Sequence, residues 1–133
     1  MDIEIKKVMT PSPHSISESA TLEEARIMMQ EYGIRHLPVR NGLRLTGILT
    51  ERDIDFASRV DRLPLGEIRV KDASTTDPYE VSPETKVSEV ARTMGHKGIG
   101  CALIVENANV VGIFTGVDAC KLLGETLSGR PEQ

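Results

Sequence analysis

An internal repeat is the feature that most constrains the fold. When the sequence is shifted by 65 positions, residues 16–54 align with residues 81–119 without a gap, and 9 of the 39 aligned pairs are identical. Apolar positions match as well, such as Ile16 with Val81 and Val39 with Ile104. Two copies of one small unit are expected to bury their apolar faces together, because a small sheet is marginally stable alone. The identical pairs are Ser17/Ser82, Glu24/Glu89, Met29/Met94, Gly33/Gly98, Ile34/Ile99, Gly47/Gly112, Ile48/Ile113, Thr50/Thr115 and Asp53/Asp118.

The first helix of copy one has clear start and stop signals. Thr21-Leu-Glu-Glu24 is a capping-box pattern. Leu22, Ala25 and Met29 then recur on one helical face, and Gly33 stands where a left-handed residue is expected to end the helix. In copy two the helix ends at Gly98, but Lys86 takes the place of Thr21, which predicts a poorer cap.

Two strands and a second helix follow in each copy. In copy one, His36–Arg40 is predicted to lead through an Asn41-Gly42 turn into Leu45–Thr50. Pro38 predicts an edge position for the first of these strands. The counterparts in copy two are Ala102–Val105, a turn through Asn107, and Val110–Thr115, and a helix is expected after Thr50 and after Thr115.

The predicted fold class is therefore α+β, with two β-α-β-β-α units. We expect residues 1–68 to form the first unit with its linker, residues 69–127 to form the second unit, and residues 128–133 to form a polar tail. The segment expected to link the two units is Asp55–Arg69.

Composition argues against several functional classes. The net charge of −4 disfavours a nucleic-acid-binding protein. No apolar run approaches the roughly 20 residues that span a bilayer, and no signal peptide is evident. Cys101 and Cys120 are too far apart for a metal motif and are expected to be small buried side chains in a reduced, cytoplasmic protein. The three histidines, His14, His36 and His96, show no ligand spacing, so no metal site is expected.

The most informative motif is Gly-apolar-x-Thr-x-x-Asp, which occurs at Gly47–Asp53 and at Gly112–Asp118. One interpretation is structural, because Thr-x-x-Asp at the start of a helix is close to a capping box. The other is functional, because a helix N-terminus favours phosphate oxygens and a carboxylate can accept bonds from the two hydroxyls of a ribose. The two interpretations are compatible.

This pair of motifs resembles the tandem cystathionine-β-synthase (CBS) domain module. Val8-Met-Thr-Pro11 and Gly33-Ile-Arg-His-Leu-Pro-Val39 are also typical of that family, and the resemblance extends from Val8 to Leu123. It implies two units related by a pseudo-two-fold axis, clefts that bind AMP, ADP, ATP or S-adenosylmethionine, and a homodimer. The chain departs from the pattern at Ala73-Ser74 and at Gly116-Val117, which puts the equivalence of the two clefts in doubt.

The resemblance also implies which residues share a cleft. It groups the Thr and Asp of each copy with the central strand of the other copy. The Asp53 cleft owns Arg52, whereas the Asp118 cleft has Val117 at that position and borrows its positive charge. The first cleft comprises Thr50, Arg52 and Asp53 with Ile99, Gly100, Cys101 and the backbone near Tyr79; the second comprises Thr115 and Asp118 with Ile34, Arg35, His36 and the backbone near His14.

Three functions remain open at this point. The leading hypothesis is a stand-alone regulatory module that senses an adenine nucleotide and modulates a partner protein, with no cofactor required. The second is a structural dimerisation module whose motifs only cap helices. An enzyme is not expected, because the sequence holds no GxxxxGK phosphate loop, no paired-histidine helix and no marked nucleophile.

Overall fold

The computed structural model describes residues 2–129 and has the predicted α+β class. In chain order the strands are β1 (Thr10–Pro11), β2 (Ile16–Ser17), β3 (His36–Asn41), β4 (Arg44–Thr50), β5 (Glu80–Val81), β6 (Cys101–Glu106) and β7 (Asn109–Thr115). The helices are α1 (Leu22–Tyr32), α2 (Glu51–Asp61), α3 (Val70–Ala73), α4 (Val87–Lys97) and α5 (Gly116–Ser128).

The contacts divide the described chain into two compact units. Residues 13–78 form the first unit, and residues 2–12 together with 79–129 form the second. The division predicted from the sequence differs, because it kept the N-terminal residues with the first unit and placed residues 69–78 in the second.

The first unit contains a three-stranded sheet in the order β2-β3-β4. Strand β3 is therefore central, and the edge position predicted from Pro38 is wrong. Pro38 has no N–H to donate, and the pairing of β3 with β2 starts at the next residue, Val39. In the second unit the equivalent residue Leu103 does donate a hydrogen bond, to the carbonyl of Tyr79 at 2.8 Å.

Both hairpins form, but one turn lies one residue later than predicted. Strand pairing ends at Asn41 and Arg44, so the turn residues are Gly42 and Leu43. Gly42 has a φ of 62°, as the first position of a type II′ turn requires. In the second unit the turn contains Asn107, as predicted, together with Ala108, and both have positive φ.

Helix α1 follows the sequence signals. The Thr21 side chain accepts a hydrogen bond from Glu24 N at 3.1 Å, and Gly33 ends the helix with a φ of 65°. Leu22, Ala25 and Met29 are buried in the core of the first unit, as their spacing predicts. Gly98 ends α4 in the same left-handed conformation.

The predicted linker at Asp55–Arg69 is wrong over its first part. Helix α2 continues to Asp61, with Ile54 and Ala57 on its buried face, and a 3-10 turn follows at Leu65–Glu67. Helix α5 likewise runs into the predicted tail and ends at Ser128, where Gly129 is the C-cap. The rest of that tail, residues 130–133, lies outside the described residues.

The residues ahead of each repeat explain the observed division. In the second unit Ile5 is fully buried and Val87 N donates to the carbonyl of Ile3 at 2.8 Å. The first unit contains the equivalent bond, in which Leu22 N donates to the carbonyl of Ile68 at 2.9 Å. Each leading segment therefore completes the core and the first helix of the other repeat.

This arrangement supplies the cap that Lys86 does not provide. Asp2 accepts hydrogen bonds from the side chain of Ser88 and from Ser88 N, in the first turn of α4. These bonds, with the side-chain bond the larger cause, hold the pKa of the Asp2 carboxyl below its ordinary value of 3.8. A negative charge at a helix N-terminus is also favoured by the helix dipole.

The two motif glycines allow the same segments to approach β4 and β7. A Cβ on Gly47 would lie 2.4 Å from the carbonyl oxygen of Thr75, and one on Gly112 would lie 2.2 Å from the Met9 sulfur. The glycine of the Gly-apolar-x-Thr-x-x-Asp motif therefore serves packing, because a methyl group there would require the neighbouring atoms to move.

Gly47→Ala is expected to lower the free energy of unfolding by roughly 1–3 kcal/mol, because the new methyl group meets backbone that cannot rotate away. Gly112→Ala should lower it less, since the Met9 side chain is flexible. Urea unfolding compares both with Gly95→Ala, a helix position with open space, where stability should rise by up to about 1 kcal/mol. A neutral Gly47→Ala would contradict the packing role.

Asp2→Ala is expected to lower the melting temperature at pH 7, because α4 loses its cap. A carboxyl with a lowered folded pKa stabilises above its unfolded pKa, and this contribution disappears as the pH falls through the folded value. The difference between the variant and the native chain should therefore shrink below pH 3.8. Thermal melts across that range check it, and a difference independent of pH would contradict the cap.

Candidate functional site

Each Thr-x-x-Asp motif forms a reciprocal pair of hydrogen bonds where a strand meets a helix. At the start of α2, Thr50 Oγ1 accepts from Asp53 N at 3.1 Å and Asp53 Oδ2 accepts from Thr50 N at 2.9 Å. At the start of α5, Thr115 and Asp118 make the same two bonds at 3.2 and 2.9 Å. The capping interpretation is therefore correct for both copies.

These caps use part of each carboxylate. Among the hydrogen bonds described for residues 2–129, Oδ2 of each aspartate has a protein donor and Oδ1 has none. Asp53 and Asp118 are half-buried, so solvent still reaches them. The expectation that this carboxylate accepts bonds from ribose hydroxyls stays a prediction, since Oδ2 already accepts one bond from the threonine N–H and Oδ1 stays able to accept others.

The start of the central strand lies beside each cap within the same unit. In the first unit His36 pairs with Thr50, and Glu51 N donates to the Arg35 carbonyl at 3.0 Å. In the second unit Cys101 pairs with Thr115, and Gly116 N donates to the Gly100 carbonyl at 3.0 Å. Ile34 and Ile99 precede these residues and are half-buried.

The two clusters differ in charge. Arg35 and Arg52 are exposed near the cap of the first unit, and His36 there is half-buried. The second unit has Gly100 and Val117 at the positions of the two arginines. The first unit therefore offers cationic donors for a phosphate, whereas the second offers a hydroxyl, a carboxylate and apolar surface.

The remaining predicted positions are His14 and Tyr79, which precede β2 and β5. The carbonyl of Tyr79 accepts a hydrogen bond from Leu103 N. The residue equivalent to Leu103 in the first unit is Pro38, which has no N–H to donate to the carbonyl of His14. The His14 ring stacks on the Tyr32 ring with centroids 3.7 Å apart and planes 8° from parallel. The sequence does not indicate this ring contact, because Tyr32 is the last residue of α1, lies 18 positions from His14 and shares no motif with it.

The expected grouping of each Thr and Asp with the strand of the other repeat stays a prediction. The structure brings together Thr50, Asp53, Ile34, Arg35 and His36 in one unit. It brings together Thr115, Asp118, Ile99, Gly100 and Cys101 in the other.

Within residues 2–129, no group of three or more His, Cys, Asp or Glu side chains is arranged to hold a metal ion. No helix in that range is both long enough and apolar enough to cross a bilayer.

The two cysteines lie in different environments. Cys101 is buried, as predicted, and desolvation raises the pKa of its thiol to about 11. Cys120 lies on α5 and is exposed, so the prediction that it is buried is wrong. The helix leaves it uncovered because none of the residues Gly116–Ser128 is fully buried.

Comparison with known families agrees with this geometry. The family model described as "CBS domain" matches residues 5–59 and again residues 70–125. The chain belongs to the CBS domain family. Both CBS matches end within the second helix of their repeat, beyond the Thr-x-x-Asp cap.

Among curated relatives, inosine-5′-monophosphate dehydrogenase of Korarchaeum cryptofilum is 37% identical over 130 residues, which are 97% of this chain and 25% of that protein. The chain thus spans a quarter of that relative's length. Among solved structures, the AcuB protein of Vibrio cholerae has a TM-score of 0.82 and 30% identity, covering 97% of this chain and 98% of its own. The CBS domain pair of protein MJ0100, in complex with 5′-methylthioadenosine and S-adenosyl-L-methionine, has a TM-score of 0.86 and 23% identity, with coverages of 95% and 99%. This second likeness shows the fold alone.

A thiol reagent such as Ellman's reagent is expected to modify one cysteine per native chain at pH 8 and both in denaturant. Cys101 should be protected because its pKa is raised to about 11 and its side chain is buried. Cys120→Ser should abolish the native reaction, whereas Cys101→Ser should leave it unchanged. Rapid native modification of two thiols would contradict the burial of Cys101.

Proposed function

We propose that this chain is a regulatory module that binds an adenosine-containing ligand of the AMP, ADP, ATP or S-adenosylmethionine type. The observation that carries this proposal is the polar cap that occurs in both units, with one carboxylate oxygen to which no donor among residues 2–129 is bonded. A second acceptor on a half-buried aspartate, next to the N-terminus of a helix, suits a ribose hydroxyl beside a phosphate or another polar group.

The comparisons support the class of ligand. The MJ0100 domain pair was solved with two adenosine compounds, 5′-methylthioadenosine and S-adenosyl-L-methionine. The exposed guanidinium groups of Arg35 and Arg52 are suited to a phosphate. In the grouping proposed below they belong to different groups, so each group has a cation for a phosphate.

The residues proposed to bind the ligand are those that the sequence predicts, and the grouping across repeats is part of the proposal. Arg52 supplies the charge for one group, and Arg35 with His36 supplies it for the other. The first group is Thr50, Arg52, Asp53, Tyr79, Ile99, Gly100 and Cys101; the second is Thr115, Asp118, His14, Ile34, Arg35 and His36.

The regulated partner, the homodimer and a cytoplasmic location belong to the same proposal. Helix α5 supports an association surface, because Val117 is 59% exposed and Leu127 is 78% exposed. Cys120 and Gly124 lie between them on the same helix, and small residues there would let another surface approach closely.

One observation favours the alternative, a structural module without a ligand. Both aspartates already cap their helices, so neither needs a ligand to explain its position. The two functions differ in what the unused oxygen does, and a substitution that retains the cap can separate them.

Asp53→Asn and Asp118→Asn are expected to keep the cap, since an amide oxygen can still accept from the threonine N–H. They replace the second oxygen by a donor, so affinity for AMP or S-adenosylmethionine should fall roughly tenfold or more for the ligand at that site. Isothermal titration measures the affinity, and thermal melts measure the cap.

The matched alanine variants remove both roles. Asp53→Ala and Asp118→Ala should lose binding and also lower the free energy of unfolding by about 1 kcal/mol. If the native chain binds none of AMP, ATP and S-adenosylmethionine, capping is the only function that the aspartates have. Unchanged affinity in both asparagine variants would exclude the aspartates as ribose acceptors.

A further inference from the structure

Met9 is a half-buried methionine that covers the motif glycine of the second unit. A Cβ built on Gly112 would lie 2.8 Å from Met9 Cγ and closer still to Met9 Sδ, so the thioether lies directly on the glycine backbone. The same side chain packs against the apolar core of this unit, which includes Ile5 and Phe114. The ligand binding proposed above makes no use of this contact.

The contact lies next to the edge strand of the second unit. Strand β1 has two residues and forms one edge of the sheet, where Pro11 pairs with Gly112. Just beyond it, Ser12 N donates to the carbonyl of Val111 at 3.0 Å. A strand this short makes few ladder bonds, so the packing of Met9 on Gly112 contributes substantially to holding β1 against β7.

The four methionines within residues 2–129 differ in their access to solvent. Met29 and Met94 are buried, with exposed fractions of 4% and 6%, whereas Met9 and Met28 are half-buried. An oxidant must reach the sulfur to react with it, so the two half-buried thioethers are the more susceptible. Of these two, Met9 is the one that packs on a motif glycine.

We propose that Met9 is an oxidation site of the second unit, at which a hydroperoxide converts the thioether to a sulfoxide and thereby loosens β1 from β7. One oxygen atom passes from the peroxide to the sulfur, the sulfur gives up two electrons, and hydrogen peroxide is reduced to water. The product carries a polar oxygen on a sulfur that packs on Gly112 and the apolar core. The larger and more polar group weakens this packing.

The first unit closes the equivalent position with groups that a peroxide does not oxidise. The residue 65 positions after Met9 is Ser74, and Gly47 is covered by the Thr75 backbone with the Ser74 hydroxyl nearby. Ile48 and Thr75 exchange two backbone hydrogen bonds, at 2.9 and 3.0 Å. Strand β4 is therefore an internal control for β7.

The test uses the full chain with Met28→Leu, which removes the other half-buried thioether at nearly constant volume. After treatment with hydrogen peroxide, peptide mass spectrometry should find oxygen on Met9 several times faster than on the buried Met29 and Met94. The oxidised chain should melt roughly 3–8 °C lower than the untreated chain. Methionine sulfoxide reductase should restore the original melting temperature.

Hydrogen exchange gives a local readout. Exchange should rise at residues 109–115, which form β7, and stay unchanged at residues 44–50, which form β4. A rise of equal size in both strands would contradict a local effect of Met9.

The matched control adds Met9→Leu to the same Met28→Leu chain. Leucine keeps an apolar side chain of similar volume but has no sulfur, so peroxide should leave the melting temperature of this chain unchanged. Reaction of Met9 no faster than that of Met29 and Met94, an unchanged melting temperature once Met9 is oxidised, or the same fall in the Met9→Leu chain would each overturn the proposal. None of these readouts requires a ligand, so they are independent of the proposed function.

Discussion

The reciprocal hydrogen bonds between a threonine and an aspartate three residues later determine how each unit is built. They join the last residue of β4 to the first turn of α2, and β7 to α5, so that no linker separates strand and helix. Because the helix begins at once, its N-terminal N–H groups lie beside the strand pair that carries Arg35 in one unit and Gly100 in the other. A structural cap thereby creates a polar site of defined geometry.

The same junctions depend on segments that lie far away in sequence. The Thr75 backbone packs against Gly47 and the Met9 side chain packs against Gly112, so a methyl group at either position would displace its neighbour. The cap bond between Asp2 and Ser88 joins residues 86 positions apart. Each repeat is thus completed by the stretch that precedes the other.

Local patterns predicted local structure well. The capping signal at Thr21, the terminal glycines Gly33 and Gly98 and the caps at Thr50 and Thr115 all act through neighbours within four residues, and all are found. What the sequence did not predict is nonlocal. The central position of Pro38 depends on the pairing of β3 with β2, a strand 20 or more residues earlier in the chain, and the His14–Tyr32 stack depends on a strand end meeting a helix end. Neither has a sequence spacing that could indicate it.

The central claim is that the same aspartate caps its own helix and binds a ribose hydroxyl. The most direct measurement is a crystal structure of the chain grown with AMP and S-adenosylmethionine. The account predicts a ribose hydroxyl within hydrogen-bond distance of Oδ1 of Asp53 or Asp118, about 2.5–3.0 Å, while Oδ2 still accepts from the threonine N–H. A nucleoside bound away from both aspartates, or the absence of bound ligand from crystals grown with both compounds, would contradict it.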